Sequence, residues 1–567
     1  MSYVELHSHS AFSFLDGASL PDELVAAALE QGHTTLALTD HDGVSGSMEF
    51  AVAAEALGLR AIHGAEVTLH DGRHLTLLVE DTSGWANLCR LLTHAHAHTR
   101  DGRVGAPVGQ PSVAPADVVA HAEGLVCLSG CAARGVHDLG ELRGLLDAFG
   151  PDHLRIELQR PFHAGDRVRN AELAALARRL GVPTVATGNA HAHTRARARL
   201  QDAFVAVRRH TTLDASEPER RGNHSHVLTT PAAMAARFAD HPDAVAETER
   251  LAERLSFDLH QDLGYRYPGA EDADKPRELA ELCRAAWEER YPPGHPLRRE
   301  AAERLEDELV LIDKLGLSGF FVLHRDLLEL AREVALEVRG PESARAVLPP
   351  GRGRGSSVSS IVCYLTGLSH VDPVANKLLL GRFLNEEISS LPDIDLDFPR
   401  DVRETLLPRI HERYGRDRSA LVAAFPTYRA RGAIRELGKA LGLPPGEIER
   451  VARGSEGFSA REVDRDVVSA LGEPRLRSGR WRWLAALAAE AHGLPRHLSQ
   501  HSGGMIVATR PLVDCVPVVP AAMEGRLIAQ WDKDSCADAG FLKIDHLGLG
   551  MLSAVERSVE LIARTRG

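Results

Sequence analysis

The segment LPDIDLDF, from Leu391 to Phe398, spaces three carboxylates two residues apart: Asp393, Asp395 and Asp397. In a β-strand alternate side chains share a face, so the acids point one way and Ile394, Leu396 and Phe398 the other. Like charges this close repel, and burying them unpaired is costly. The apolar face needs a core and no lysine relieves the acidic one, which favours a divalent-cation site over a solvated edge strand. Hard carboxylate oxygens suit magnesium. Asp545 lies in a second strand-like segment, FLKID, with Lys543 two residues before it on the same face. Two aspartates on one strand and one on another form the constellation for two-metal phosphoryl transfer. One ion activates an attacking hydroxyl and the other holds the triphosphate and the leaving oxygen.

Two basic segments lie near these acids in the chain. GRGRGSS, residues 351–357, precedes an expected helix from about Ser357. Its glycines permit close backbone approach, the helix N-terminus offers N–H groups to an anion, and Arg352 and Arg354 suit phosphate oxygens. The same loop would also serve as a plain hinge. In FPTYRARGAIRELGKALGL, Arg429, Arg431, Arg435 and Lys439 recur at near-helical spacing. That pattern fits a DNA backbone or a triphosphate, and equally a solvated helix face.

A second set of chemical side chains occupies the first third. LALTDH, HLTLLVE, GLVCLSG, HLRIELQ and PTVATGN read as strands, and SGSMEFAVAAEALGL and WANLCRLLTHAH as helices between them. SLPDELVAAALEQG reads as a further helix, with Ser19 as N-cap, Pro21 early and Gly32 just past its end. Repeated βα units over about 200 residues predict a parallel sheet closed into a barrel, whose strand ends converge on one face. His7, His9, Asp16, His41, Glu66, His74, Cys131, Asn189, His191 and His193 gather at those ends. Imidazole, carboxylate and thiolate together suit zinc, manganese or iron, in a phosphoesterase-like cluster. His94, His96 and His98 are expected to be solvated helix surface, because a spacing of two does not converge on a helix.

These centres need several domains to position them, and 567 residues are too many for one core. The 44% hydrophobic and 26% charged residues exclude a disordered or fibrous chain. No apolar run reaches the ~18 residues of a membrane span, and MSYVELHSHS is not a signal peptide, so a cytoplasmic location is expected. Seven scattered cysteines without a CxxC pair argue against a disulfide framework and a zinc finger. The net charge of -13 speaks mildly against nonspecific nucleic-acid binding. Only six lysines stand among abundant arginines, so arginine richness alone means little. Residues 240–310 read as charged helices around a boundary loop, YRYPGAEDADKPREL. PPGEIERVAR and WRWLAALAAEAHGL read as helices, with Trp481 and Trp483 as packing residues.

The ordered strand-end ligands resemble the polymerase-and-histidinol-phosphatase (PHP) domain over about residues 1–265. Asn189 departs from the pattern, because many members carry an aspartate ligand there. An amide oxygen still coordinates but brings no charge and cannot act as a base, which favours a metal cluster and speaks against hydrolytic turnover. From about 265 onward the chain resembles bacterial C-family replicative polymerases, the DNA polymerase III alpha subunits. GRGRGSS, the DP at 372–373, RFLNEEISSLPDIDLDF, HERYGRD, RGAIRELGKALG, HSGGMIV and QWDKDSCADAGFLKIDHLGLGML carry this resemblance. YVELHSHSAFSFLDGAS and the WDKDSCADAG…GLGML ending are most similar to the error-prone, damage-inducible paralogue.

The resemblance implies an α/β fold: a PHP-type distorted βα barrel at 1–265, then a polymerase-β-like nucleotidyltransferase palm at 266–425 and 501–550. A helical thumb is inserted at 426–500, and the fingers start at 551–567. It implies Asp395, Asp397 and Asp545 as catalytic magnesium ligands, with Asp393 as a supporting acid. Arg352, Arg354, Ser356, Arg431, Arg435 and Lys543 are the implied triphosphate or DNA contacts. The PHP cluster would hold Zn2+, or Mn2+ or Fe. The implied function is error-prone, translesion DNA polymerisation on primer-template DNA with deoxynucleoside triphosphates, in DNA replication and repair. Fingers, a clamp-binding segment and an OB-fold domain are expected beyond Gly567, with a sliding clamp and translesion accessory proteins as partners. Two alternatives stay open: a PHP phosphoesterase or exonuclease, and an inactive DNA-binding remnant.

Overall fold

The computed structural model describes residues 3–100, 108–387 and 391–566. Residues 388–390 of the RFLNEEISSLPDIDLDF motif lie outside the described residues. The chain divides into two compact units. One comprises the segment up to Thr99, Val108–Leu263 and Ala424–Ser499. The other comprises Gly264–Ala423 and the chain from Gln500 onward.

The first unit is built on a six-stranded sheet in sequence order: β1 (Thr35–Leu38), β2 (Arg60–Thr68), β3 (His74–Val79), β4 (Leu125–Leu128), β5 (Leu154–Gln159) and β6 (Thr184–Thr187). The strands expected from sequence are there, but the sheet is not wholly parallel. β2–β3 and β3–β4 pair antiparallel. The first follows from chain length: β2 turns into β3 within five residues, with Gly72 at φ +83, and a hairpin that short can only be antiparallel. The N-terminal segment joins the two edges of the curled sheet. Glu5 bridges to Leu36 beside β1, and Ser8 bridges to Ala190 just past β6. Residues 5–9 thereby carry His7 and His9 through the middle of the ligand-bearing strand ends.

Two local expectations change. The helix Pro21–Glu30 is capped at Leu20, whose N–H donates to Glu23, while the Ser19 hydroxyl bonds His193 instead. His96 is not solvated surface, because its Nε2 lies 2.7 Å from the Asp42 carbonyl oxygen.

The helical segment Ala424–Ser499 shares one apolar core with the rest of this unit. Ala11, Ala18, Ala192, Leu200, Phe204 and Val227 pack with Tyr428, Ile434, Leu437, Trp481, Leu484 and Leu487, all buried. Phe204 and Tyr428 stack with ring centroids 5.5 Å apart. Trp481 is 2% exposed and Trp483 packs beside it, as expected of packing residues.

The second unit holds a seven-stranded sheet in the order β11-β12-β9-β10-β13-β8-β7. Its strands are β7 (Arg352–Arg354), β8 (Asp395–Pro399), β9 (Ser419–Ala424), β10 (Ser499–Val507), β11 (Val518–Pro520), β12 (Leu527–Ala529) and β13 (Lys543–Leu549). β8 alternates as its sequence dictates. Leu396 and Phe398 are fully buried, while Asp395 and Asp397 share the opposite face. β13 runs parallel to β8 and antiparallel to β10, and β7 runs antiparallel to β8. All seven cysteines are buried and none is in a disulfide. Among the described residues no helix is long and apolar enough to cross a membrane.

Phe204→Ala removes a ring that joins the helical segment to the barrel-like part of the first unit. The expected cost is about 3–5 kcal/mol. Hydrogen exchange should quicken both within residues 426–494 and around Ala192 and Leu200. Unchanged protection in 426–494 would contradict the shared core.

Candidate metal centres

Strand register creates the carboxylate centre. Asp545 of β13 stands directly opposite Asp395 of β8, and Arg354 of β7 stands opposite Asp395 on its other side. Oxygens of Asp393, Asp395 and Asp545 all lie within 4.8 Å of one another, which makes them a group able to hold a metal ion. Asp397 is on the same face one step along, and its Oδ1 accepts from Arg354 Nε at 3.1 Å. Arg354 Nη2 also lies 3.2 Å from Asp395. Lys543 donates to Asp545 and reaches Asp393 at 3.9 Å. Burial and neighbouring carboxylates push Asp395 above the usual carboxylate range, against Arg354 and Lys543. Burial also raises Asp393, with Lys543 opposing and Asp545 adding to the shift. Asp545 Oδ1 is buried without a hydrogen-bond donor. An unpartnered buried carboxylate oxygen facing two more carboxylates fits a hard divalent cation.

The glycines around this centre serve close packing of the chain itself. A Cβ on Gly351 would meet the Phe398 ring at 2.5 Å, and one on Gly353 would meet the Leu368 carbonyl oxygen at 2.4 Å. In HSGGMIV, a Cβ on Gly503 would meet Leu547 at 2.5 Å. His501 folds back so that its Nδ1 accepts from the N–H of Gly504 at 2.7 Å, which leaves it 3.9 Å from Asp545 Oδ1. Arg403 bonds the backbone oxygens of His546 on β13 and Ser502 on β10, locking the two strands behind the centre.

The first unit gathers the predicted histidines around one buried glutamate. Glu66 is 1% exposed. Its Oε2 lies 2.9 Å from His7 Nε2 and 4.0 Å from His9 Nε2. Its Oε1 lies 2.8 Å from His41 Nδ1 and 2.5 Å from His74 Nδ1. His9, His41 and His191 form an adjoining group. Asp16 lies 3.2 Å from His41 and 4.0 Å from His191. Cys131 is buried close enough to His74 to help raise its pKa. Asn189, at φ +51, buries an Oδ1 that has no hydrogen-bond donor. His9 Nε2 is likewise buried without a partner. Lone pairs left unmatched inside a ring of imidazoles fit borderline transition-metal ions.

Burial opposes charge on Glu66, but His41, His74 and His7 outweigh it and hold the carboxyl well below its ordinary range. Burial would depress His41 and His74 as well. Glu66 and Asp16 instead lift His41 to about 9, and Glu66 and Cys131 lift His74 to about 10. His9 moves the other way, pushed down by burial and by His191 and His41.

Sequence reasoning missed the residues behind these ligands. Glu157 of β5 accepts from His7 Nδ1 at 2.7 Å and from Gln159 and Thr187, fixing the ring as carboxylate partners of metal-bound histidines do. Asp40 accepts from Ser10 and Ser13, and the Ser13 hydroxyl lies 3.3 Å from His9 Nδ1.

The other predicted contacts are dispersed. Arg352 is exposed opposite Asp397, and Ser356 is exposed in the 3-10 turn Gly355–Ser359. The helix expected from about Ser357 begins at Ile361, and its N-terminus is not free for an outside anion. The Glu308 carboxylate already accepts from the N–H groups of Ile361 and Val362 and from the Ser360 hydroxyl. Arg431 and Arg435 belong to the first unit. Arg431 donates to the Ser455 carbonyl oxygen and Arg435 pairs with Glu449 at 3.1 Å.

Comparison with known proteins assigns a domain to each of two stretches of the chain. Residues 5–161 match the PHP domain, and residues 277–548 match the bacterial DNA polymerase III alpha NTPase domain. The chain thus carries a PHP domain ahead of a bacterial DNA polymerase III alpha NTPase domain, which is consistent with a nucleotidyltransferase-like palm. It is similar over its whole length to proteins named error-prone DNA polymerase. That of Mycobacterium tuberculosis is 37% identical over 100% of this chain and 51% of its own length. Those of Anaeromyxobacter dehalogenans and Pseudomonas paraeruginosa are 34% and 36% identical over all of this chain, covering 56% and 53% of theirs. The chain spans about half the length of the curated relatives it matches.

The raised histidines make stability fall at alkaline pH in protein stripped of metal. The native state keeps protons on His41 and His74 up to about 9 and about 10, whereas an unfolded histidine releases its own near ~6.5. Their ion pairs are fully present below that value and are lost as pH rises through the native values. Chemical unfolding of the first unit should weaken by about 1.4 kcal/mol per pH unit per histidine between the two. A flat profile from pH 7 to 10 would contradict the ion-paired cluster.

Proposed function

We propose that this chain carries the polymerising centre of an error-prone, DNA-directed DNA polymerase acting in translesion synthesis and DNA repair. The observation that carries the reading is the facing of Asp395 and Asp545 across β8 and β13, with Asp393 alongside. Asp395, Asp397 and Asp545 would hold magnesium, with Asp393 alongside as a supporting acid. Bound there, two magnesium ions would activate the primer 3′-hydroxyl and neutralise the triphosphate. The 3′-oxygen bonds the α-phosphorus as pyrophosphate leaves. Lys543 and Arg354 balance the carboxylates and are placed to turn to phosphate oxygens once ions take the acids. Arg352, Ser356, Arg431 and Arg435 are further candidates for phosphate contact. Arg431 and Arg435 would need to exchange their present partners, Ser455 and Glu449, for DNA.

Primer-template DNA and deoxynucleoside triphosphates are the proposed substrates, and a sliding clamp and translesion accessory proteins the proposed partners. A cytoplasmic location fits this role. The support is the matched family and the names of the relatives. In the first unit, His7, His9, Asp16, His41, Glu66, His74, Cys131, Asn189 and His191 are the candidate ligands for Zn2+, Mn2+ or Fe. A second reading, phosphoester hydrolysis at that cluster, draws on the convergence of its ligands. Asn189 weighs against it, because an amide supplies no base.

Primer extension with magnesium separates the readings. Extension by this chain alone is expected to be inefficient, and Asp395→Asn should lower it by about 100-fold or more. Equal extension by both would contradict the assignment. Nucleotide release that survives Asp395→Asn and disappears in His9→Ala would favour the hydrolytic reading.

A further inference from the structure

The ligands around Glu66 form three corners. His7 and His9 face Glu66 in the first, His41 and His74 face it in the second, and His9, His41 and His191 make the third. Asp16 completes this third corner, 3.2 Å from His41 and 4.0 Å from His191. Its chemistry differs from the other two. His191 Nδ1 lies 3.0 Å from the Asn189 carbonyl oxygen, so it carries the ring proton and leaves a lone pair on Nε2. That lone pair is the one a metal ion would take. Arg221 Nη2 donates to it and also to Asp16 Oδ1 at 3.2 Å. Arg208 donates to Asp16 Oδ2 at 3.1 Å.

Arg221 is held in place by its own segment. The backbone oxygen of Arg221 lies 3.1 Å from His163 Nε2. Asn223 and Ser225 donate to the Pro161 carbonyl oxygen, and His191 N–H donates to the His226 carbonyl oxygen. A guanidinium stays charged at any working pH, and this one reaches the same two ligands, Asp16 and His191, that an ion in the third corner would need.

We propose that Arg221 is a built-in cation that closes the Asp16–His191 corner, so that this chain's cluster binds metal at the two Glu66 corners and none at the third. The inference rests on reading the cluster as a metal centre. It gives the PHP domain of this chain a structural, metal-holding character, since a corner that could activate water is filled by a side chain. Arg208 is a secondary contributor, because it reaches Asp16 alone.

Metal stoichiometry tests this without any activity. The whole 567-residue chain, carrying Asp545→Asn to silence the carboxylate centre, is loaded with Zn2+, desalted and measured by inductively coupled plasma mass spectrometry. About two ions per chain are expected, against about three in Arg221→Met. The extra ion should disappear again when His191→Ala is added. Arg221→Lys, which keeps a positive charge, should hold about two and guards against loss of ions through misfolding. About three ions with Arg221 present, or no gain in Arg221→Met when it folds as judged by circular dichroism, would overturn the inference while leaving the metal centre standing. No bound ion in any variant would overturn the metal centre itself.

Discussion

Mutual repulsion among Asp393, Asp395 and Asp545 is the constraint on which the second unit turns. Parallel pairing of β13 with β8 sets Asp545 opposite Asp395. The back of the same strands keeps them there, with Leu396, Phe398 and Ile544 almost wholly buried. Each such side chain contributes about 1.5–3 kcal/mol on burial, so the hydrophobic face can offset the crowding of charge on the other. Arg354 and Lys543 offset more of it, one from β7 and one from β13 itself. A sheet that concentrates carboxylates and then balances them with two movable cations is suited to exchanging those cations for metal and substrate.

The first unit solves a related problem with opposite signs. Here one carboxylate, Glu66, is surrounded by imidazoles, and Glu157 and Asp16 hold the outer members of the ring. The helical segment Ala424–Ser499 bears on this arrangement through the core it shares. Ala18 lies two residues from Asp16, Ala192 lies next to His191, and both pack into that core. The loops that present Asp16 and His191 are thus fixed from behind by residues more than two hundred positions away in the chain.

Much of this was legible in the sequence, for identifiable reasons. The period of two in LPDIDLDF announces a strand with one acidic face, and β8 is that strand. The histidines and Glu66 were readable because metal-type residues are rare enough to stand out at successive strand ends. What was not legible depends on distant pairing. β2 carries Gly64 in its middle and lacks clean alternation, so its hairpin with β3 had no local signature. Glu157 is a lone acid in RIELQ, and nothing in its neighbours points to His7, 150 residues away. Arg221 sits in a chain where arginine is everywhere. The glycines of GRGRG suggested an approach to phosphate, whereas Gly351 and Gly353 are required where the chain passes Phe398 and Leu368.

If Asp393, Asp395 and Asp545 hold a divalent cation, that ion is directly observable. Anomalous diffraction from a crystal soaked in Mn2+ tests this most directly. A peak is expected between Asp395 and Asp545, with Lys543 and Arg354 withdrawn from the carboxylates, and no such peak in Asp545→Asn. Both cations still bonded to the acids, with no ion between the strands at saturating Mn2+, would contradict it.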